Sequence, residues 1–271
     1  MMFPSVVALA VAATAVLSYE AVPTEVKEWG SQDLWIYSSS WYGEQCSCMC
    51  AALCWYPTPY MIDNLVAGRM FAVYNNATPQ MMFLEDGRPS APAAASVPCS
   101  KTPTTFSKEA IDRVGREALM KYFPYQFTKS ATDMWDATAP NPSAVVPIFD
   151  QPCAGALEAD YLNSAVQITK YIGTPRAITD NIGKVVKKKV IVDAFAALGL
   201  DAILQCRGDA LYEVFTCWGK NKPFVYQQQP WEAQYGPATP IKCPPAVVAT
   251  SNCYNDTVSI TKFKIRNVTA A

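Results

Sequence analysis

Apolar and polar residues alternate from Asp33 to Trp41 (DLWIYSSSW), the period-two pattern of a strand with one buried face. A second apolar run, Tyr60 to Val66, and a third, Val145 to Phe149, read as further strands. From Ser107 the period changes. Ile111, Val114, Ala118, Leu119 and Tyr122 fall at helical spacing, Ser107 is a good N-cap and Pro124 a stop, so a helix to Phe123 is predicted. Two more helices are predicted from about Leu157 to Ile172, ended by Gly173, and from about Thr179 to Leu198, closed by Gly199 and broken near Gly183. The last third returns to strands: Ala202 to Cys206, a tight Arg207-Gly208-Asp209 turn, Leu211 to Trp218, a turn at Gly219 to Lys222, Pro223 to Val225, and Val258 to Ile265. Between Gln80 and Thr105 the chain is rich in Pro, Ala and Ser and reads as a surface excursion.

Strands at both ends with helices in the middle predict an α+β fold, one mainly antiparallel central sheet packed by helices. The four strands beginning at Trp35, Tyr60, Val145 and Leu211 are expected in that sheet.

Half of the 271 residues, 51%, are apolar and the net charge is -1, enough for a real core and too little for a global field that would draw in nucleic acid. The basic run Lys187-Lys188-Lys189 falls in the third predicted helix and reads as a solvated face. Residues 1–18 carry an apolar run from Val6 to Leu17 of signal-peptide rather than membrane-spanning length, leaving 19–271 as one mature domain without a membrane span. Ala21 is an alternative end, and a basic n-region is missing. All ten cysteines lie beyond this segment, as do the sequons at Asn76, Asn255 and Asn267, a set that predicts secretion, disulfides and glycosylation. Cys46, Cys48, Cys50 and Cys54 have the short spacing of a zinc knuckle, but a chain with no histidine and an oxidising destination favours disulfides.

Four motifs follow one another along the chain. Trp41-Tyr42-Gly43-Glu44-Gln45-Cys46 matches Q-W-P-x-x-x-C, with Ser40 at the glutamine; Leu119-Met120-Lys121-Tyr122-Phe123-Pro124 matches L-x-x-Y-W-P. Tyr161-Leu162 matches a helix-opening Y-F. Leu204-Gln205-Cys206, a turn, and Leu211-Tyr212-Glu213-Val214-Phe215-Thr216-Cys217 match I-Q-C and L-Y-E-V-Y-L-C at the same cysteine spacing. In this order they resemble the ribonuclease T2 family, secreted acid ribonucleases that include the plant self-incompatibility enzymes. The resemblance implies a ribonuclease T2-like fold and RNA cleavage through a 2',3'-cyclic phosphate, with one histidine as general base and another as general acid.

This chain has no histidine, the side chain that exchanges protons near mildly acidic pH without help. By resemblance, the segment F-T-I-H-G-L-W-P falls on Tyr60 to Ala67, which places Asp63 at a histidine and Val66 at a base-stacking tryptophan. The second segment, H-E-W-x-K-H-G-T-C, falls on Val145 to Cys153. Asp150 then stands at the other histidine, and Val146 and Phe149 at the glutamate and lysine that contact phosphate. An alternative register from Met134-Trp135 puts Pro142 there instead. Two carboxylates can divide acid-base work, but Asp63 and Asp150 would repel an RNA phosphate with no cation to absorb its charge. The leading expectation is a secreted pseudo-ribonuclease, catalytically inactive, with a binding, effector, storage or structural role. A divergent RNA endonuclease using Asp63 and Asp150 is the enzymatic alternative. No cofactor or metal is expected.

The resemblance also implies disulfides between Cys99 and Cys153 and between Cys206 and Cys217. The family's other C-terminal bridge would need a cysteine near Gln227, which is absent, so Cys243 is paired with Cys253; the connectivity of Cys46, Cys48, Cys50 and Cys54 stays open. Arg207-Gly208-Asp209 at a hairpin tip is a candidate adhesion ligand as well as an ordinary turn. RNA or a nucleotide is the partner implied by resemblance, an extracellular protein or glycan the alternative.

Overall fold

The computed structural model describes residues 33–47, 54, 57–73, 104–125, 134–139, 147–149, 156–220 and 239–264. In chain order, β1 (Leu34–Ser40), α1 (Tyr42–Gln45), α2 (Pro59–Asp63) and β2 (Val66–Val73) precede β3 (Thr104–Thr105), α3 (Lys108–Val114), α4 (Arg116–Tyr122) and β4 (Ile148–Phe149). Then come α5 (Glu158–Ile172), α6 (Arg176–Thr179), β5 (Val185–Lys187) and α7 (Lys188–Ala196). The hairpin β6 (Ile203–Arg207) and β7 (Ala210–Gly219), α8 (Pro245–Val248) and β8 (Thr257–Ser259) follow.

The strand order is β2-β1-β7-β8-β5, with β6 on the other side of β7. Every contact in this sheet is antiparallel except the single parallel pair Ala210↔Ser259, by which β8 and β5 continue the sheet beyond the end of β1. The predicted alternation in β1 has a consequence on both sides. Trp35, Tyr37 and Trp41 enter the large core under the helices, whereas Leu34 and Ile36 join Phe71, Ile203, Phe215, Cys217, Cys243 and Val247 in a smaller core behind the sheet. Buried on nearly every side, α5 fills the front layer with Tyr161, Leu162, Ala165, Val166 and Ile168.

Several expectations are corrected. Tyr60 to Asp63 is helical rather than extended: the Thr58 hydroxyl accepts from Met61 N and Pro59 occupies the first turn, a helix-start signal stronger than a short apolar run. Its strand begins only at Val66. Ile148–Phe149 pairs with Thr104–Thr105 in a separate two-stranded ladder, outside the main sheet. Ser107 caps its helix as expected, accepting from Ala110 N at 3.2 Å. Gly115, at φ 95°, then divides the predicted single helix into α3 and α4. The third helix divides into α6 and α7 around Gly183 and the edge strand β5, so Lys187 lies on a strand, not a helix face. The last strand stops at Ser259.

The bridges are Cys206–Cys253, Cys217–Cys243 and Cys46–Cys54, with Cα separations of 5.1, 5.2 and 5.4 Å. Pairing of Cys206 with Cys217, and of Cys243 with Cys253, is therefore wrong. The hairpin register sets Cys206 opposite Leu211, and Cys217 stands six residues further along β7, about 20 Å away. The returning chain determines the actual partners: Ile241 N donates to Cys217 O, and the Asn252 side chain bonds both Cys206 N and Cys206 O. Cys46–Cys54 removes two of the four clustered thiols from any metal reading. Cys48, Cys50, Cys99 and Cys153 lie outside the described residues.

Candidate functional site

Asp63 ends α2 with its side chain exposed. The segment is fixed on both sides: Asn64 Nδ2 donates to Tyr60 O, and Leu65 N donates to Thr174 Oγ1 at 2.8 Å, just past the C-terminal end of α5. Val66, at the resemblance's base-stacking position, is fully buried in the main core and presents no face to a ligand.

At α2, the helix that Asp63 ends, three helices bring together aromatic and basic groups. Tyr60 of α2 meets Tyr122 of α4 edge-on, with ring centroids 5.1 Å apart. The Lys121 ammonium lies 5.4 Å from the Tyr60 ring and 5.0 Å from the Tyr122 ring, and the Lys170 ammonium of α5 lies 5.4 Å from the Tyr122 ring. Burial, with Tyr122 adding to it, pushes the Tyr60 phenol up, so it stays a neutral donor at physiological pH. Sequence reasoning missed this group. Tyr60, Lys121 and Tyr122 were visible only as motif matches, and nothing in the order of residues brings positions 60, 121 and 170 together.

The second segment is fastened elsewhere. Phe149 pairs with Thr104, Phe106 N donates to Pro147 O, and Ser107 N donates to the carboxylate of Glu158, the first residue of α5. The segments leading to Asp63 and Asp150 are thus tied to opposite ends of α5, whose fifteen residues span about 21 Å. Asp150, Val146 and Pro142 lie outside the described residues. Met134 and Trp135 are buried, and Trp135 Nε1 donates to Phe123 O at 2.8 Å, an interior structural bond.

At the β6–β7 turn, Gly208 at φ 57° supplies the left-handed conformation that a two-residue hairpin turn needs. Arg207 folds back rather than outward, its guanidinium 4.6 Å from the Tyr212 ring, with Nε and Nη1 buried. The Asp209 carboxylate accepts from Asn255 Nδ2, and Asp209 O accepts from Ser259 N. Arginine and aspartate are both engaged by the fold, which is the geometry of an ordinary turn. Asn255 is exposed; Asn76 and Asn267 lie outside the described residues.

Behind the sheet, Glu213 of β7 is buried beside Ser38 and Ser40, accepting from Ser40 Oγ at 3.2 Å. Burial pushes its carboxyl up, against the opposing pull of Arg69, the two serines and Arg207. Gly68 leaves room for this arrangement, because a Cβ there would stand 2.5 Å from Ser40 Oγ and 2.8 Å from Ser38 Oγ.

No protein-family model matches this chain, and no curated protein sequence matches it. Among solved structures it is similar to an RNase-related protein from Calystegia sepium, at 15% identity and a TM-score of 0.46, covering 88% of this chain and 100% of that one. It is also similar to ribonuclease MC1 from the seeds of bitter gourd, at 13% identity and a TM-score of 0.45, covering 69% and 89% of the two chains. A third is the self-incompatibility associated SF11-RNase of Nicotiana alata, at 11% identity and a TM-score of 0.43, covering 69% and 87%.

Proposed function

We propose that this chain is a secreted, ribonuclease T2-like protein that has lost RNA cleavage and acts by binding. The observation that carries the proposal is the complete absence of histidine from a chain whose motifs resemble a two-histidine ribonuclease. The fate of the first active segment supports it: Asp63 is an exposed carboxylate at one of the two histidine positions, and Val66 is core. A carboxylate there adds negative charge where a ribonuclease must stabilise the charge developing on the scissile phosphate. Three disulfides among the described residues fit synthesis in an oxidising compartment, and the sequon at Asn255 is exposed for glycosylation. Residues 1–18 act as the signal peptide and 19–271 as a single domain in this reading.

The purified protein is expected to leave single-stranded RNA intact between about pH 4 and 8, the range in which histidine and carboxylates titrate. Histidine placed at both Asp63 and Asp150 should not restore cleavage, since Val146 and Phe149 supply no phosphate contact. Cleavage by the unmodified protein that Asp63→Ala or Asp150→Ala abolishes would replace this proposal with a carboxylate endonuclease.

A further inference from the structure

We propose that Tyr60, Lys121, Tyr122 and Lys170 form a binding site for a tetrahedral oxyanion, the phosphate or sulfate group of a small ligand, beside Asp63. The inference deepens the binding reading above by naming the ligand's chemistry.

The argument begins with two like charges. Both ammonium groups lie within 5.4 Å of the Tyr122 ring centroid, so they are no more than about 10 Å apart, comparable with the screening length at physiological salt. Neither has an ion pair or hydrogen bond among the described residues, whereas Lys108, Lys189 and Lys242 are each paired with an aspartate. Contact with an aromatic face holds a lysine in place without spending its N–H donors. The phenol hydroxyls of Tyr60 and Tyr122 also have no hydrogen-bond partner among the described residues. Two ammonium groups and two phenol hydroxyls, brought by α2, α4 and α5, are therefore gathered at the Tyr60–Tyr122 ring pair with no hydrogen-bond or ion-pair partner among the described residues. Lys121 and Lys170 each stand in the last turn of a helix, where the backbone carbonyls favour a cation and help to hold both groups there.

Asp63 tunes the site. It lies three residues from Tyr60 on α2, on the same helix face, and offsets part of the positive field without making an ion pair with either lysine. Loss of its charge should tighten oxyanion binding.

The test is isothermal titration of the full protein with inorganic phosphate, inorganic sulfate and acetate in separate arms. Saturable binding of phosphate and sulfate, tighter than that of acetate, is expected. Lys121→Ala with Lys170→Ala should weaken it by about tenfold or more, and Asp63→Asn should strengthen it about twofold to fivefold, the larger effect belonging to the two groups that carry the attraction. A control pair, Lys187→Ala with Lys189→Ala, should change nothing, and Tyr60→Phe with Tyr122→Phe should weaken binding while leaving the lysines in place. No saturable binding, binding indifferent to the Lys121 and Lys170 changes, or weaker binding by Asp63→Asn would overturn the proposal. RNA cleavage by the unmodified protein would defeat the non-catalytic reading and leave this measurement standing, so the two fail separately.

Discussion

Glu213 is a carboxyl group with almost no water around it, and its environment has a measurable consequence for pH. Burial raises its pKa above the ordinary 4.5, more than the nearby Arg69, Ser38, Ser40 and Arg207 lower it. The folded chain therefore holds this proton more tightly than the unfolded chain does. Stability from this group is fully present below about pH 4.5, falls as pH rises from there through the raised folded value, and is level above it. Glu213→Gln should remove that downward slope in urea unfolding free energies measured from acid to neutral pH. A variant that keeps the parent's slope would show that another group produces it. The glutamate was legible as one charge inside the apolar run LYEVF. Its two arginines were not, because Arg69 and Arg207 reach it from β2 and β6.

Among the elements, the corner after β1 is the most tightly constrained. The Trp41 indole Nε1–H donates to Thr261 O at 2.8 Å and so ties the end of β1 to the chain leaving β8. Gly43 lies against both partners: a Cβ there would stand 2.0 Å from Thr261 O and 2.6 Å from Trp41 Nε1. Gly43→Ala should lower unfolding stability by about 3 kcal/mol through overpacking and loss of this bond, read by denaturant titration. A change under about 0.5 kcal/mol, the size of an ordinary surface substitution, would mean that the corner yields freely. Elements with a long period or a strong local signal were legible: β1, α5, the Ser107 cap and the β6–β7 hairpin all fall close to their expected limits. Those decided by contacts distant in sequence were not. β5 exists because Val185, Val186 and Lys187 find Ser259, Val258 and Thr257, seventy residues or more later. Asp63 was singled out by motif alone, whereas Tyr60, Lys121, Tyr122 and Lys170 belong to three separate helices that no local signal brings together.

At the scale of the molecule, α5 is the axis on which the rest is arranged. Tyr161 near its beginning exchanges hydrogen bonds with the backbone of Met70 in β2, while Thr169 near its end is bonded to Tyr37 in β1 at 2.6 Å. The helix is therefore registered on the sheet at two heights, and the Asp63 and Phe149 segments, attached at its two ends, inherit that spacing. The smaller core behind the sheet is closed differently. There α8 packs Val247 against Ile203 and Phe215 and is held by the Cys217–Cys243 bridge, while the Cys206–Cys253 bridge belongs to the large core on the other face.

Those bridges are nested, since the loop closed by Cys206 and Cys253 contains the one closed by Cys217 and Cys243. A protease that severs the backbone anywhere from residue 218 to 242 cuts inside both loops, and the two fragments remain joined at two points. A nicked molecule should thus behave as a single particle in non-reducing electrophoresis and separate into two chains only with thiol. Release of a fragment without reductant would contradict the nesting. The C-terminal region can be processed into a two-chain form without being shed.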